Sequence, residues 1–66
     1  MQLYRFITGP DDATFCMRIS TLLNQGWTLQ GNPTLTYNGE TTIAGQALIK
    51  EVPGQTFHQD IDLTAY

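Results

Sequence analysis

The segment Ile43-Ala44-Gly45-Gln46-Ala47-Leu48-Ile49 is apolar at both odd and even positions, and this limits the fold more than any other feature of the chain. Ile43, Ala47 and Ile49 alternate with Ala44 and Leu48, so a strand here asks for cover on both faces of its sheet. The rest of the chain carries the periodicity of one helix, and one helix covers one face. The other face is expected to be buried by a second copy of the chain or by the C-terminal tail.

The other elements follow from local signals. Residues 2–8 are rich in aromatic and β-branched types and stop at Gly9-Pro10, which predicts a first strand. Its alternation puts Tyr4 and Phe6 on one face and Leu3, Arg5 and Ile7 on the other. Phe15, Ile19, Leu22 and Leu23 then recur at i, i+4, i+7 and i+8, the stripe of a helix from about Asp12 to Gln25. Asp11 is placed to cap it, and Asn24-Gln25-Gly26 supplies a left-handed stop.

From Trp27 to Tyr37 the apolar residues Trp27, Leu29, Leu35 and Tyr37 keep a period of two, interrupted by Gly31-Asn32-Pro33. Proline removes a ladder donor, so a bulge or an edge strand is expected there. Asn38-Gly39 predicts a tight type I′ hairpin into a third strand from Glu40 to Val52.

The expected fold is α+β: a three-stranded antiparallel sheet in the order strand, helix, hairpin, with the helix packed on one face. Residues 1–52 form the domain. Residues 53–66 are a tail, read as a fourth strand, an arm onto a neighbouring subunit or an unstructured end. The expected core is Tyr4, Phe6, Phe15, Ile19, Leu23, Trp27 and Leu29. The second face is expected to carry some of Leu3, Ile7, Ile43 and Ile49.

Composition removes several function classes. Sixty-six residues leave no room for a second domain, and a single cysteine excludes an intrachain disulfide. Three basic residues against six acidic ones give a net charge of −3, the wrong sign for gripping a duplex, so nucleic acid is not an expected partner. No run reaches the roughly 20 apolar residues of a membrane span, and the start lacks the pattern of a leader. A cytoplasmic chain is expected.

Each candidate chemistry has a plainer rival. Cys16 lies near the helix stripe, where a thiol is a small hydrophobe, and the only base, His58, is far away in sequence. His58, Asp60 and Asp62 share one parity of the tail, the raw material of a metal or general-base site. They equally suit the wet side of an edge strand. The turn from Thr8 to Asp12 joins a strand to a helix start, but its two carboxylates repel phosphate. No glycine-rich nucleotide loop occurs.

Arg5 stands between Leu3 and Ile7 on an apolar strand face. Its guanidinium needs an acceptor there, either a partner subunit's carboxylate or an anionic ligand in a pocket between subunits. Arg18 and Lys50 are the residues that would add charge to such a pocket.

Leu3-Tyr4-Arg5-Phe6 with Thr8-Gly9-Pro10-Asp11-Asp12, then Asn24-Gln25-Gly26-Trp27-Thr28-Leu29 with Gly31-Asn32-Pro33-Thr34, then Gly45-Gln46-Ala47-Leu48-Ile49-Lys50, resembles a bacterial and phage family over residues 2–51. It is the domain of unknown function numbered seventeen thirty-seven. The resemblance implies a small α+β domain and supplies no catalytic residue.

The expected function is therefore a non-enzymatic, homo-oligomeric binding module that needs no cofactor and no metal, because no nucleophile with its base can be assembled from these residues. Its partners are expected to be itself together with a protein or a small anion. In one version, suggested by the phage occurrence of the family, it sequesters a nucleotide-like metabolite in the host cytoplasm as a counter-defence sponge. The rival from another class is a small enzyme or metal site using His58 with Asp60 or Asp62.

Overall fold

The computed structural model describes residues 1–66. In chain order it contains β1 (Gln2–Pro10), α1 (Ala13–Asn24), β2 (Thr28–Tyr37), β3 (Thr42–Glu51) and a 3-10 turn at Leu63–Ala65. The sheet is antiparallel with order β1-β3-β2, so the strand that is apolar on both faces takes the central place. There both of its edges are hydrogen-bonded and its side chains have neighbours on either side.

Register fixes the two faces. Leu3 pairs with Lys50, Arg5 with Leu48 and Ile7 with Gln46, and on the other edge of β3 Leu29 pairs with Leu48 and Leu35 with Ala44. These residues share the face that receives α1. Tyr4 pairs with Ile49, Phe6 with Ala47 and Thr8 with Gly45, while Thr28, Thr34 and Thr36 continue the row on β2. This second face carries no helix.

The interruption at Gly31-Asn32-Pro33 is a bulge, as its proline and glycine predict. Gln30 pairs with Ala47 and the next pair is Thr34 with Gly45, so residues 31–33 stand opposite Gln46 alone. Three against one is an even excess, so Leu29 and Leu35 stay on the same face. Gln46 is buried, and its amide Nε2 donates to Ala47 O at 2.9 Å, Gly31 O at 3.3 Å and Gln30 O at 3.5 Å. It satisfies carbonyls that the bulge takes out of the ladder.

Two local predictions are corrected. The cap of α1 is Asp12 and not Asp11: Asp12 is extended and its Oδ1 accepts from Phe15 N at 3.0 Å. Asp11 instead donates its N–H to Thr42 O at 2.9 Å, which ties the helix entry to β3. The β2–β3 connection is not a two-residue type I′ turn, since no residue other than glycine has positive φ. Asn38 Oδ1 accepts from both Glu40 N and Thr41 N at 2.9 Å, and this side-chain turn closes a four-residue loop, so β3 starts at Thr42.

The larger correction concerns which face of β1 the helix covers. The core is Leu3, Ile7, Leu22, Trp27 and Leu48, with Phe15 and Ile19 partly buried against it. Of the residues expected in the core, Trp27 is 1% exposed, whereas Tyr4 is 57%, Phe6 50%, Leu29 51% and Leu23 42% exposed. Leu3 and Ile7, named among the candidates for the second face, lie under the helix. Leu29 is on the helix face, yet α1 leaves it half exposed.

The tail adds no strand. It folds back over the helix face, where Ile61, Leu63 and Tyr66 pack against the core and Trp27 Nε1 donates to Tyr66 O at 3.3 Å. Helix and tail thus share one face and leave the other open. The radius of gyration is 13.3 Å against about 11 Å for a compact chain of this length, because the molecule is elongated, 43 × 23 × 20 Å.

Candidate functional site

One cleft is present, about 260 Å³ in volume and lined by Arg5, Ile7, Arg18, Thr21, Leu22 and Gln25. Its construction follows from two periodicities. Residues 18, 21, 22 and 25 recur at i, i+3, i+4 and i+7, one flank of α1, while residues 5 and 7 are alternate positions of β1. The cleft is the seam where that flank meets that strand.

Arg5 is half-buried and lies over the Trp27 ring, with its guanidinium carbon 5.8 Å from the centroid. The indole face attracts the cation and fixes its direction. No carboxylate comes within ion-pair distance of Arg5, Arg18 or Lys50; the one ion pair in the chain joins the Met1 nitrogen and Glu51 at 3.6 Å. Arg18 Nη1 donates to Thr8 O at 3.0 Å, which pins its stem across Gly9. A Cβ at Gly9 would meet Arg18 Nη1 at 3.5 Å, an ordinary contact, so the guanidinium packs directly against this part of the strand.

Of the three cations singled out in the sequence, two are brought together and one is not. Arg5 and Arg18 share the cleft, whereas Lys50 is directed to the end of α1, where Nζ donates to Gln25 O at 2.8 Å. Lys50 is 6.0 Å from the Trp27 centroid and complements the negative end of the helix dipole. Thr21 and Gln25 line the cleft and were not singled out, although their helical spacing from Arg18 places them on its flank.

The tail candidates do not converge. His58 and Asp60 are exposed, and no group of three or more His, Cys, Asp or Glu side chains is close enough to hold a metal ion. Asp62 is used locally: its Oδ1 accepts from Thr64 Oγ1 at 2.6 Å and from Thr64 N at 3.0 Å. These two bonds, with a smaller contribution from the charge of Arg5, hold the Asp62 carboxyl below its ordinary pKa. Cys16 is exposed on α1 rather than packed as a small hydrophobe.

The open face of the sheet is the other surface without a covering element. Between Pro10 at one end and Glu51 at the other it presents Tyr4, Phe6, Ile43, Ala47 and Ile49 beside Thr28, Gln30, Thr34 and Thr36, and none is charged. The Phe6 ring lies over Gly45: a Cβ there would meet Phe6 Cζ at 2.7 Å and Thr34 Oγ1 at 2.8 Å. The glycine lets ring and hydroxyl close over the middle of β3. No helix of the chain is long and apolar enough to cross a membrane.

These features define a small α+β domain in which one helix and a returning tail cover one face of a three-stranded sheet. The chain belongs to the family described as "Domain of unknown function (DUF1737)", whose model matches residues 1–51. No curated protein and no solved structure matches it.

Proposed function

We propose that the chain is a non-enzymatic binding module of the cytoplasm that works as a homo-oligomer, its copies meeting through the open sheet face. The observation that carries this reading is the absence of charge on that face between Pro10 and Glu51 in a chain of net charge −3. Two like-charged copies repel at most of their surface, and here the acidic residues lie off the face, apart from Glu51 at its end. An isologous contact then sets apolar rows against each other with no ion to desolvate.

Area supports the same occupant. The accessible surface is 4700 Å², about 500 Å² more than the roughly 4200 Å² of an ordinary monomer of this mass. That excess is on the scale of the largest apolar patch of a typical monomer and approaches the roughly 800 Å² each partner buries in a standard interface. Only 8 of 66 residues are buried, so the single chain lacks the core that small domains otherwise replace with disulfides or metals.

Native mass spectrometry and light scattering across a dilution series test the reading. The wild-type chain is expected to run as a dimer or larger closed assembly. Tyr4→Glu, which places a charge opposite Ile49 on an exposed position, is expected to yield monomers with unchanged helical circular dichroism. A wild-type chain that stays monomeric at the highest concentration, or a Tyr4→Glu variant that keeps the wild-type mass, overturns it.

A further inference from the structure

We infer that the cleft between β1 and α1 binds the phosphate group of a small phosphomonoester. Arg5 and Arg18 both line one cleft of about 260 Å³, and neither has a carboxylate within ion-pair distance. The Arg5 guanidinium makes no hydrogen bond within the chain: it lies over the Trp27 face, which leaves its planar donor set free.

Two like charges on one small concavity repel in the absence of a ligand, and an oxyanion reverses the sign of that interaction. Charge selects the ligand class. A phosphomonoester carries about −1.5 to −2 at neutral pH and matches two guanidinium groups, while a carboxylate carries one charge. Arg also suits phosphate geometrically, since its fork gives paired N–H bonds. Gln25 adds an amide at the rim, and the apolar Ile7 and Leu22 form the floor and lower the local dielectric.

Volume sets the size. At about 260 Å³ the cleft falls just below the roughly 300–1,000 Å³ of pockets that enclose drug-sized ligands. It takes the phosphate and a few further atoms. Asp62 is the acid whose charge couples to Arg5, and its carboxylate is occupied by Thr64 and lies beyond ion-pair distance. The cleft belongs to a single chain and opens away from the open sheet face, so this inference and the self-association reading fail separately.

Amide NMR titrations with inorganic phosphate and ribose 5-phosphate test it, with ribose as the neutral control. Shifts that saturate and centre on residues 5, 7, 18, 21 and 25 are expected for both phosphates and not for ribose. Arg18→Gln, at an exposed position, is expected to weaken phosphate binding at least tenfold with the fold and the oligomer mass unchanged. Arg5→Gln is expected to do the same and also to loosen Trp27. Shifts spread evenly over Lys50 and the two arginines, equal binding of ribose, or an Arg18→Gln variant with wild-type affinity overturns the inference.

Discussion

The two faces of the same three strands are built on different principles. The helix face holds nearly all of the core and all three basic side chains, with Arg5 and Lys50 against Trp27. The open face holds two large aromatic residues, half exposed, and no charge between its ends. Cations and core share one side because Trp27 reconciles them: its ring buries carbon against Leu3 and Leu48 and offers a π-face to guanidinium and ammonium. An aromatic–aliphatic face without charge is what remains for another surface to cover.

Truncation of the two aromatic anchors should separate the faces most sharply. Trp27→Ala is expected to remove about 3–5 kcal/mol, close to the whole stability of a domain this small, so urea titration by far-UV circular dichroism should show an unfolded chain. A cooperative transition near the wild-type midpoint would mean that the helix face is not the core.

Gln46→Leu comes next. It leaves the Gln30 and Gly31 carbonyls of the bulge without their buried donor, and a loss of about 1–3 kcal/mol is expected. Hydrogen exchange should show β2 opening before β1, because β1 keeps its ladder to β3.

Tyr4→Ala on the open face, measured at a dilution where copies are apart, is expected to stay within about 0.5 kcal/mol of wild type. At high concentration the same substitution should lower the melting temperature, and its concentration dependence is the readout. A large loss in the monomer would erase the contrast between the faces.

The smallest effect is in the tail. Asp62 is held below its ordinary value first by the Thr64 hydroxyl, then by the Thr64 amide, with Arg5 contributing least. A carboxylate with a lowered folded pKa contributes stability that is complete above its unfolded value, about 3.9, and is lost as pH falls through the folded value. The Thr64 amide resonance should therefore titrate with a midpoint below the ordinary aspartate range. In Thr64→Val the midpoint should move back toward that range.

Some of this architecture is legible along the chain. The helix stop at Gly26, the bulge at Gly31-Asn32-Pro33 and the strand apolar on both faces are local or periodic properties, and each stands where its signal lies. Arg5 and Arg18 were nameable as candidate anion ligands because charge is scarce in this sequence. Gln46 left a weaker signal, a lone amide in an apolar strand, whose meaning depended on the carbonyls that the bulge frees across the sheet.

The sequence by itself determined the element order, the apolar character of both faces of the third strand and the fact that one helix cannot cover the sheet. Only the tertiary structure decided which face the helix took, and alternation could not, since both faces of β1 carry two large apolar residues. The choice depends on where Trp27 and the tail meet: Leu3, Ile7 and Leu48 close around the indole while Ile61, Leu63 and Tyr66 return over it. The same meeting put Arg5 beside Arg18 and left Lys50 at the end of the helix, because distance across a seam depends on packing and not on spacing along the chain.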